Sequence, residues 1–236
     1  METEAIVQEG QAWLRWASDW AAQLPVLDLA QELGDPGRAA ACAVDLTRGF
    51  CCEGRLASPR VAAILPAVTA LFVRSYDLGL RHFVLVQDYH RPTAEEFAAF
   101  GPHALEGSSE AETAPELLAL PFADRYVVLR KNSLSASIGT GLDDWLREHH
   151  DVNLFLVTGD STDLCVYQMA MFLRLTSDAF GLGYRVIVPT NCVANYDLPL
   201  EQALRAHVLP HPGDTLHLVF LYHMALCGVE VVSRAE

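Results

Sequence analysis

Six apolar runs recur along this chain: AACAVDL (40–46), HFVLVQD (82–88), YVVLR (126–130), VNLFLV (152–157), YRVIV (184–188) and VEVV (229–232). Stretches with helical periodicity lie between them, at 58–79, about 140–150, 163–179 and, split, across 199–226. The segment 89–125 is mostly loop with short helical pieces. Short runs buried on both faces suit parallel strands, because a parallel neighbour needs a crossover that covers the sheet. The alternation predicts an α/β fold, three layers (α-β-α) around a mainly parallel sheet of about six strands. Sites in open parallel sheets form beyond the carboxyl ends of the strands. Asp45, Asp88, Lys131 and Cys165 each fall at or just after such an end, so four reactive side chains share one edge.

The first 36 residues stand outside this pattern. Trp13, Trp16 and Trp20 fall at i, i+3 and i+7, one stripe of an amphipathic helix, and GDPG (34–37) then breaks the chain. The expected organisation is an N-terminal helical extension, 1–36, followed by one domain, 37–236. The stripe predicts docking onto the core or onto a second copy, and a homo-oligomer is expected. No apolar run reaches the ~18–20 residues of a membrane span. The start METEAIVQEG lacks the features of a signal peptide, so a cytoplasmic location is expected. A net charge of −14 argues against nucleic acid and anionic membranes as partners, since both require basic surface. The six cysteines (42, 51, 52, 165, 192, 227) lack framework spacing and read as free thiols. Fifteen of sixteen basic residues are arginine, so Lys131 is the sole lysine.

TGDSTDLCV (158–166) places Cys165 after a strand and at the opening of a helix. Unsatisfied N–H groups and the positive dipole end there favour thiolate, and a nearby ammonium favours it further. Asp45 can take the thiol proton and return it to a leaving group, and Lys131 can stabilise the thiolate or hold the carboxylate. The backbone amides of Ser161 and Cys165 can form an oxyanion hole. Taken alone, Cys165 is as readily a small core residue; Asp45 and the only lysine on the same edge weigh toward chemistry. A second constellation lies in QDYHRPTAEEFAAFGPH (87–103). Asp88, His90, Glu96 and His103 suit one divalent metal ion such as zinc, manganese or iron, although an Asp-x-His pair alone also suits a surface hydrogen bond. Phe50 and Phe100 flank the two constellations, where they can sandwich a flat ring or fill core. His149, His150 and His223 read as helix-end or core histidines.

These motifs together resemble the isochorismatase-like cysteine hydrolases, and within them the metal-dependent nicotinamidases. The resemblance runs from about Ala40 to Val232 and rests on VDLTRGF (44–50), QDYH (87–90), GPHALEG (101–107), RKNSLSASIGTGL (130–142) and TGDSTDLCV. It implies an isochorismatase-like, Rossmann-like fold and a triad of Cys165, Asp45 and Lys131. It also implies a cis peptide at Asp160–Ser161 that turns the Ser161 amide into the oxyanion hole, which Cys165 completes. The implied metal ligands are Asp88, His90, Glu96 and His103, with Phe50 and Phe100 as walls for a small-molecule amide substrate. The reaction it implies is hydrolysis of nicotinamide to nicotinic acid and ammonia through a cysteine thioester. This chain departs from the pattern at Thr47 and Gly49, where glutamine and aspartate are usual, at Asp160, usually apolar, and at Ser137, often aromatic. The nearest rival is a hydrolase of the same family acting on a different small amide or carbamoyl compound. More distant readings are a non-haem iron oxygenase, which leaves Lys131 and Cys165 without work, and a non-catalytic binding module.

Overall fold

The computed structural model describes residues 3–236. Six principal strands form its sheet: β1 (Ala39–Val44), β2 (His82–Asp88), β3 (Tyr126–Lys131), β4 (Leu154–Asp160), β5 (Arg185–Pro189) and β6 (Glu230–Val232). They pair in parallel in the order β3-β2-β1-β4-β5-β6, and a seventh strand of two residues, Val193–Ala194, pairs with the end of β4. Five helices dominate the layers: α1 (Thr3–Ala22), α2 (Leu65–Asp77), α3 (Leu142–Glu148), α4 (Cys165–Phe180) and α5 (Gly213–Leu226).

The period of two along each strand divides the core into two halves. Ala39, Ala41 and Ala43 of β1 share one face with Phe83 and Leu85 of β2, packed against Val68, Leu71 and Phe72 of α2. Ala40, Cys42 and Val44 share the other with Val84, Val86, Phe155 and Val157, under Trp145 of α3, Met169 and Leu173 of α4 and Met224 of α5. Winding starts at β1, runs outward to β3, and resumes on the other side of β1 with β4. Between β1 and β4 the direction reverses, and the loops beyond their carboxyl ends part to opposite faces. That crevice is where the reactive residues meet.

Two expected helices are divided. The stretch 58–79 forms a four-residue turn, Pro59–Ala62, and then α2. Pro66 has no N–H to continue a helix begun earlier, but it fits the first turn of a new one. The stretch 199–226 forms Leu200–Ala206 and α5, and His207 ends the first piece with φ of +55°. At the N-terminus, Trp13, Trp16 and Trp20 stand edge-on to one ring, Tyr222 of α5, at 5.2, 5.6 and 5.8 Å between centroids. The tryptophan stripe therefore docks on α5 of its own chain, with Trp16 still half exposed. Beyond α1, Val26–Leu27 pairs in parallel with Arg234–Ala235, so the two termini are joined by backbone. No helix among the described residues is long and apolar enough to cross a membrane.

Candidate active site

Each strand end delivers one group. β1 stops at Val44, and Asp45 turns out of it with φ of +53°, its amide donating to Val86 O at 2.9 Å. Asp45 Oδ1 accepts from the Asp88 amide at 2.8 Å, which ties the ends of β1 and β2 together. Lys131, at the end of β3, is 1 % exposed, so its charge needs partners inside the protein. It has three: Nζ lies 2.8 Å from Asp45 Oδ2, donates to Asp88 Oδ1, and donates to Cys165 Sγ at 3.4 Å. Cys165 opens α4, and the three groups expected to act together are in contact through one ammonium.

Their protonation differs from the expectation for a helix-start cysteine beside a lysine. Burial pushes the Cys165 thiol well above its ordinary range; Lys131 opposes this, but Asp45 and Asp88 add to it. Lys131 is itself held well above its ordinary value: burial disfavours its charge, and the Asp45 and Asp88 carboxylates outweigh burial. One ammonium between two carboxylates leaves no net positive charge for a thiolate. Burial and the two carboxylates favour the thiol form of the sulfur. Burial and then Asp88 push Asp45 up to about 6, against the pull of Lys131. A carboxylate of that strength is a suitable acceptor for a proton leaving the thiol.

The second constellation also assembles. One ligand atom from each of Asp88, His90, Glu96 and His103 lies within 4.8 Å of all the others. His90 Nε2 is 3.2 Å from Asp88 Oδ1 and 3.8 Å from Glu96 Oε1; His103 Nε2 is 3.5 Å from Asp88 Oδ2 and 3.8 Å from Glu96 Oε1. Ligands about 2.1 Å from a common tetrahedral ion stand about 3.4 Å apart, so the spacing fits a divalent transition metal. The outer shell agrees. His90 Nδ1 donates to Asn132 Oδ1 at 3.3 Å and His103 Nδ1 to Gly101 O at 2.8 Å, which leaves both Nε2 lone pairs facing the centre. His90 Nε2 is buried and has no hydrogen-bond partner, which a cation would supply. Asp88 belongs to both constellations: it meets Lys131 on one side and the imidazoles on the other.

The peptide Asp160–Ser161 is cis. In the loop that follows, the amides of Thr162, Asp163, Leu164 and Val166 all have acceptors. Those of Ser161 and Cys165 have none among the described residues, and both residues line the pocket of the site. That pocket, about 370 Å³ measured out to its open mouth, joins the two constellations. Asp45, Cys165, Glu96 and His103 line it, and so do Phe50 and Phe100, the two aromatics expected at the ring. Phe50 stands edge-on to His103 at 5.8 Å, and Phe100 at 6.4 Å.

The sequence matches the isochorismatase domain family over residues 39–235. The chain belongs to that family. Among curated relatives, this chain is 29% identical to nicotinamidase 1 of Arabidopsis thaliana over 160 residues, 62% of this chain and 64% of that protein, just under two thirds of its length. It is 28% identical to the nicotinamidase of Escherichia coli (strain K12) over 205 residues, covering 74% of this chain and 92% of that one. Among solved structures, the N-carbamoylsarcosine amidase of Thermoplasma acidophilum superposes with a TM-score of 0.60 at 25% identity, over 83% of this chain and 95% of that one.

Several residues of the isochorismatase-fold site lay outside the sequence reading. Leu56, Leu134, Leu164 and Tyr196 line the pocket. Tyr196 arrives because Val193–Ala194 pairs with Gly159–Asp160, and it stacks on His211 at 3.8 Å, whose Nε2 lies 2.8 Å from Asp163 Oδ2. No local pattern signals that pairing. Asn132 was within reach, since it follows Lys131 at a strand end. Gly49, one of the departures from the family pattern, has a packing reason: a Cβ there would meet Glu110 O at 2.8 Å and Glu110 Cβ at 2.9 Å. The Glu110 carboxylate accepts from the Ala104 amide at 3.0 Å, beside His103.

Proposed function

We propose that this hydrolase converts nicotinamide to nicotinic acid and ammonia. The observation that carries the reading is Asp88, through which a thiol–carboxylate–ammonium group and a metal-binding cluster share one pocket. The apolar walls, Phe50 and Phe100 among them, suit a flat heteroaromatic ring. With the ring between them, the carboxamide reaches Cys165. Sγ attacks the carbonyl carbon as Asp45 takes the thiol proton, and the amides of Ser161 and Cys165 hold the oxyanion. Asp45 then passes the proton to the leaving nitrogen, ammonia departs, and an acyl thioester remains on Cys165. Asp45, again a carboxylate, draws a proton from water as it attacks the thioester, and nicotinic acid leaves while the thiol is restored. Lys131 keeps Asp45 in place throughout and offsets the negative charge that moves between it and the sulfur.

Asp88, His90, Glu96 and His103 would hold the divalent ion, zinc, manganese or iron by donor type. Bound there, such an ion would supply a Lewis-acidic anchor for a ring nitrogen. The test is ammonia release from nicotinamide by the purified protein, with and without a chelator and with metal restored. Metal-dependent release that vanishes in Cys165→Ala supports the whole reading. Release untouched by thorough chelation removes the metal from it, and no release at all removes nicotinamide. A different small amide is the second reading, supported by the likeness to an N-carbamoylsarcosine amidase and by an acidic residue in the pocket wall.

A further inference from the structure

Asp160 is a buried, titratable group in the pocket wall to which the hydrolytic cycle gives no work. It is 3 % exposed, ends β4, and sits one residue before the first oxyanion-hole amide. Its Oδ1 accepts from the Ser161 hydroxyl at 2.8 Å. Its Oδ2 has no partner among the described residues, and the hydroxyl of Tyr196, on the same pocket, has none either. Of the other twelve residues that line the pocket, five are phenylalanine or leucine. An acid at such a position is costly unless something completes its hydrogen bonding. Nothing in the protein does so at Oδ2, while the pocket brings a substrate there.

We infer that Asp160 is a specificity-determining residue, whose free carboxyl oxygen hydrogen-bonds a polar group on the acyl side of the amide. The substrate class this selects is a neutral ring carboxamide bearing a hydroxyl, amino or oxo substituent, in preference to the bare ring. The substituent is not an anion, because Asp45, Asp88 and Glu96 already place carboxyl groups on the same cavity and a further negative charge would be repelled. Burial keeps the Asp160 carboxyl well above its ordinary range, so it can donate as well as accept. This inference rests on the proposed amidase activity and deepens it.

The test uses the zinc-loaded full chain with nicotinamide and a series of nicotinamides carrying one hydroxyl or amino group at each free ring carbon. The reading is the ratio of kcat/KM for each derivative to that for nicotinamide. The wild-type protein is expected to give a ratio above one for at least one derivative, and Asp160→Leu to lower that ratio about tenfold or more. A ratio unmoved by Asp160→Leu overturns the inference, since a carboxyl that only props Ser161 affects every substrate alike. If the leucine variant does not fold, Asp160→Ala is read on the same ratio. A wild-type protein that prefers bare nicotinamide to every derivative overturns the inference without any variant. Turnover of nicotinamide with an unmoved ratio rejects the role of Asp160 alone. Turnover of no ring amide rejects the nicotinamidase reading, and this inference with it.

Discussion

Gly159 has φ of +121° and lies opposite Val44, whose carbonyl oxygen would stand 2.0 Å from a Cβ placed there. The contact is with backbone of the central strand, so no side chain can move aside. Gly159→Ala is expected to cost about 4 kcal/mol or more, the range of the most damaging single substitutions, read as the shift in a urea midpoint. A loss below about 1 kcal/mol would mean that β1 and β4 can separate at this end. At Cys165, burial and two carboxylates keep the thiol protonated. In the metal-free protein its alkylation, followed by mass spectrometry to separate it from exposed Cys52, is expected to be slow at neutral pH, with a midpoint above the ordinary 9.0. A midpoint near 7 would show that Lys131 governs the sulfur. Asp45 works as a base only when ionised, and its carboxyl sits at about 6. The ionised fraction grows as pH rises, so kcat/KM should climb through a limb at about 6, or lower once a divalent ion adds positive charge beside Asp88. A limb above 7 would point to another base.

Among the elements, α1 docks through fully buried Ala17 and through three tryptophans gathered on one ring. Tyr222 collects three edge-on tryptophans, and each such contact is worth ~0.5–1.5 kcal/mol beyond its buried area. Tyr222→Ala should lower stability by about 2 kcal/mol and shift tryptophan emission to the red, while ammonia release persists because α1 lends no atom to the pocket. An unshifted spectrum would mean that the tryptophans keep their apolar surroundings without this ring. The amphipathic period made α1 legible from the sequence; its docking partner was not, because Tyr222 lies two hundred residues away. Strand ends were legible to within a few residues. The exception is β4, which runs on to Asp160 because its last two residues pair with Val193–Ala194, a strand too short to show a pattern of its own.

For the molecule as a whole, three buried side chains and the half-buried Glu96, brought together only by folding, imply that a metal would bind the folded state far better than the unfolded one. Zinc at about a hundred times its Kd should stabilise the protein by about 2.7 kcal/mol, seen as a rise in Tm that chelation reverses and His90→Ala abolishes. A Tm indifferent to zinc would count against the site. The sequence alone determined the layer architecture, since hydrophobic period is a local property that each strand and helix carries within itself. It also determined which residues stand at strand ends, and so that Asp45, Asp88, Lys131 and Cys165 share an edge. Strand order was decided only in three dimensions, because β1 and β4 pair across more than a hundred residues of intervening chain. So were the double duty of Asp88, the arrival of Tyr196 and the state of the thiol. Each of these depends on the distance and field between groups remote in sequence, and a net charge around Lys131 exists only once the strands have brought both carboxylates to it.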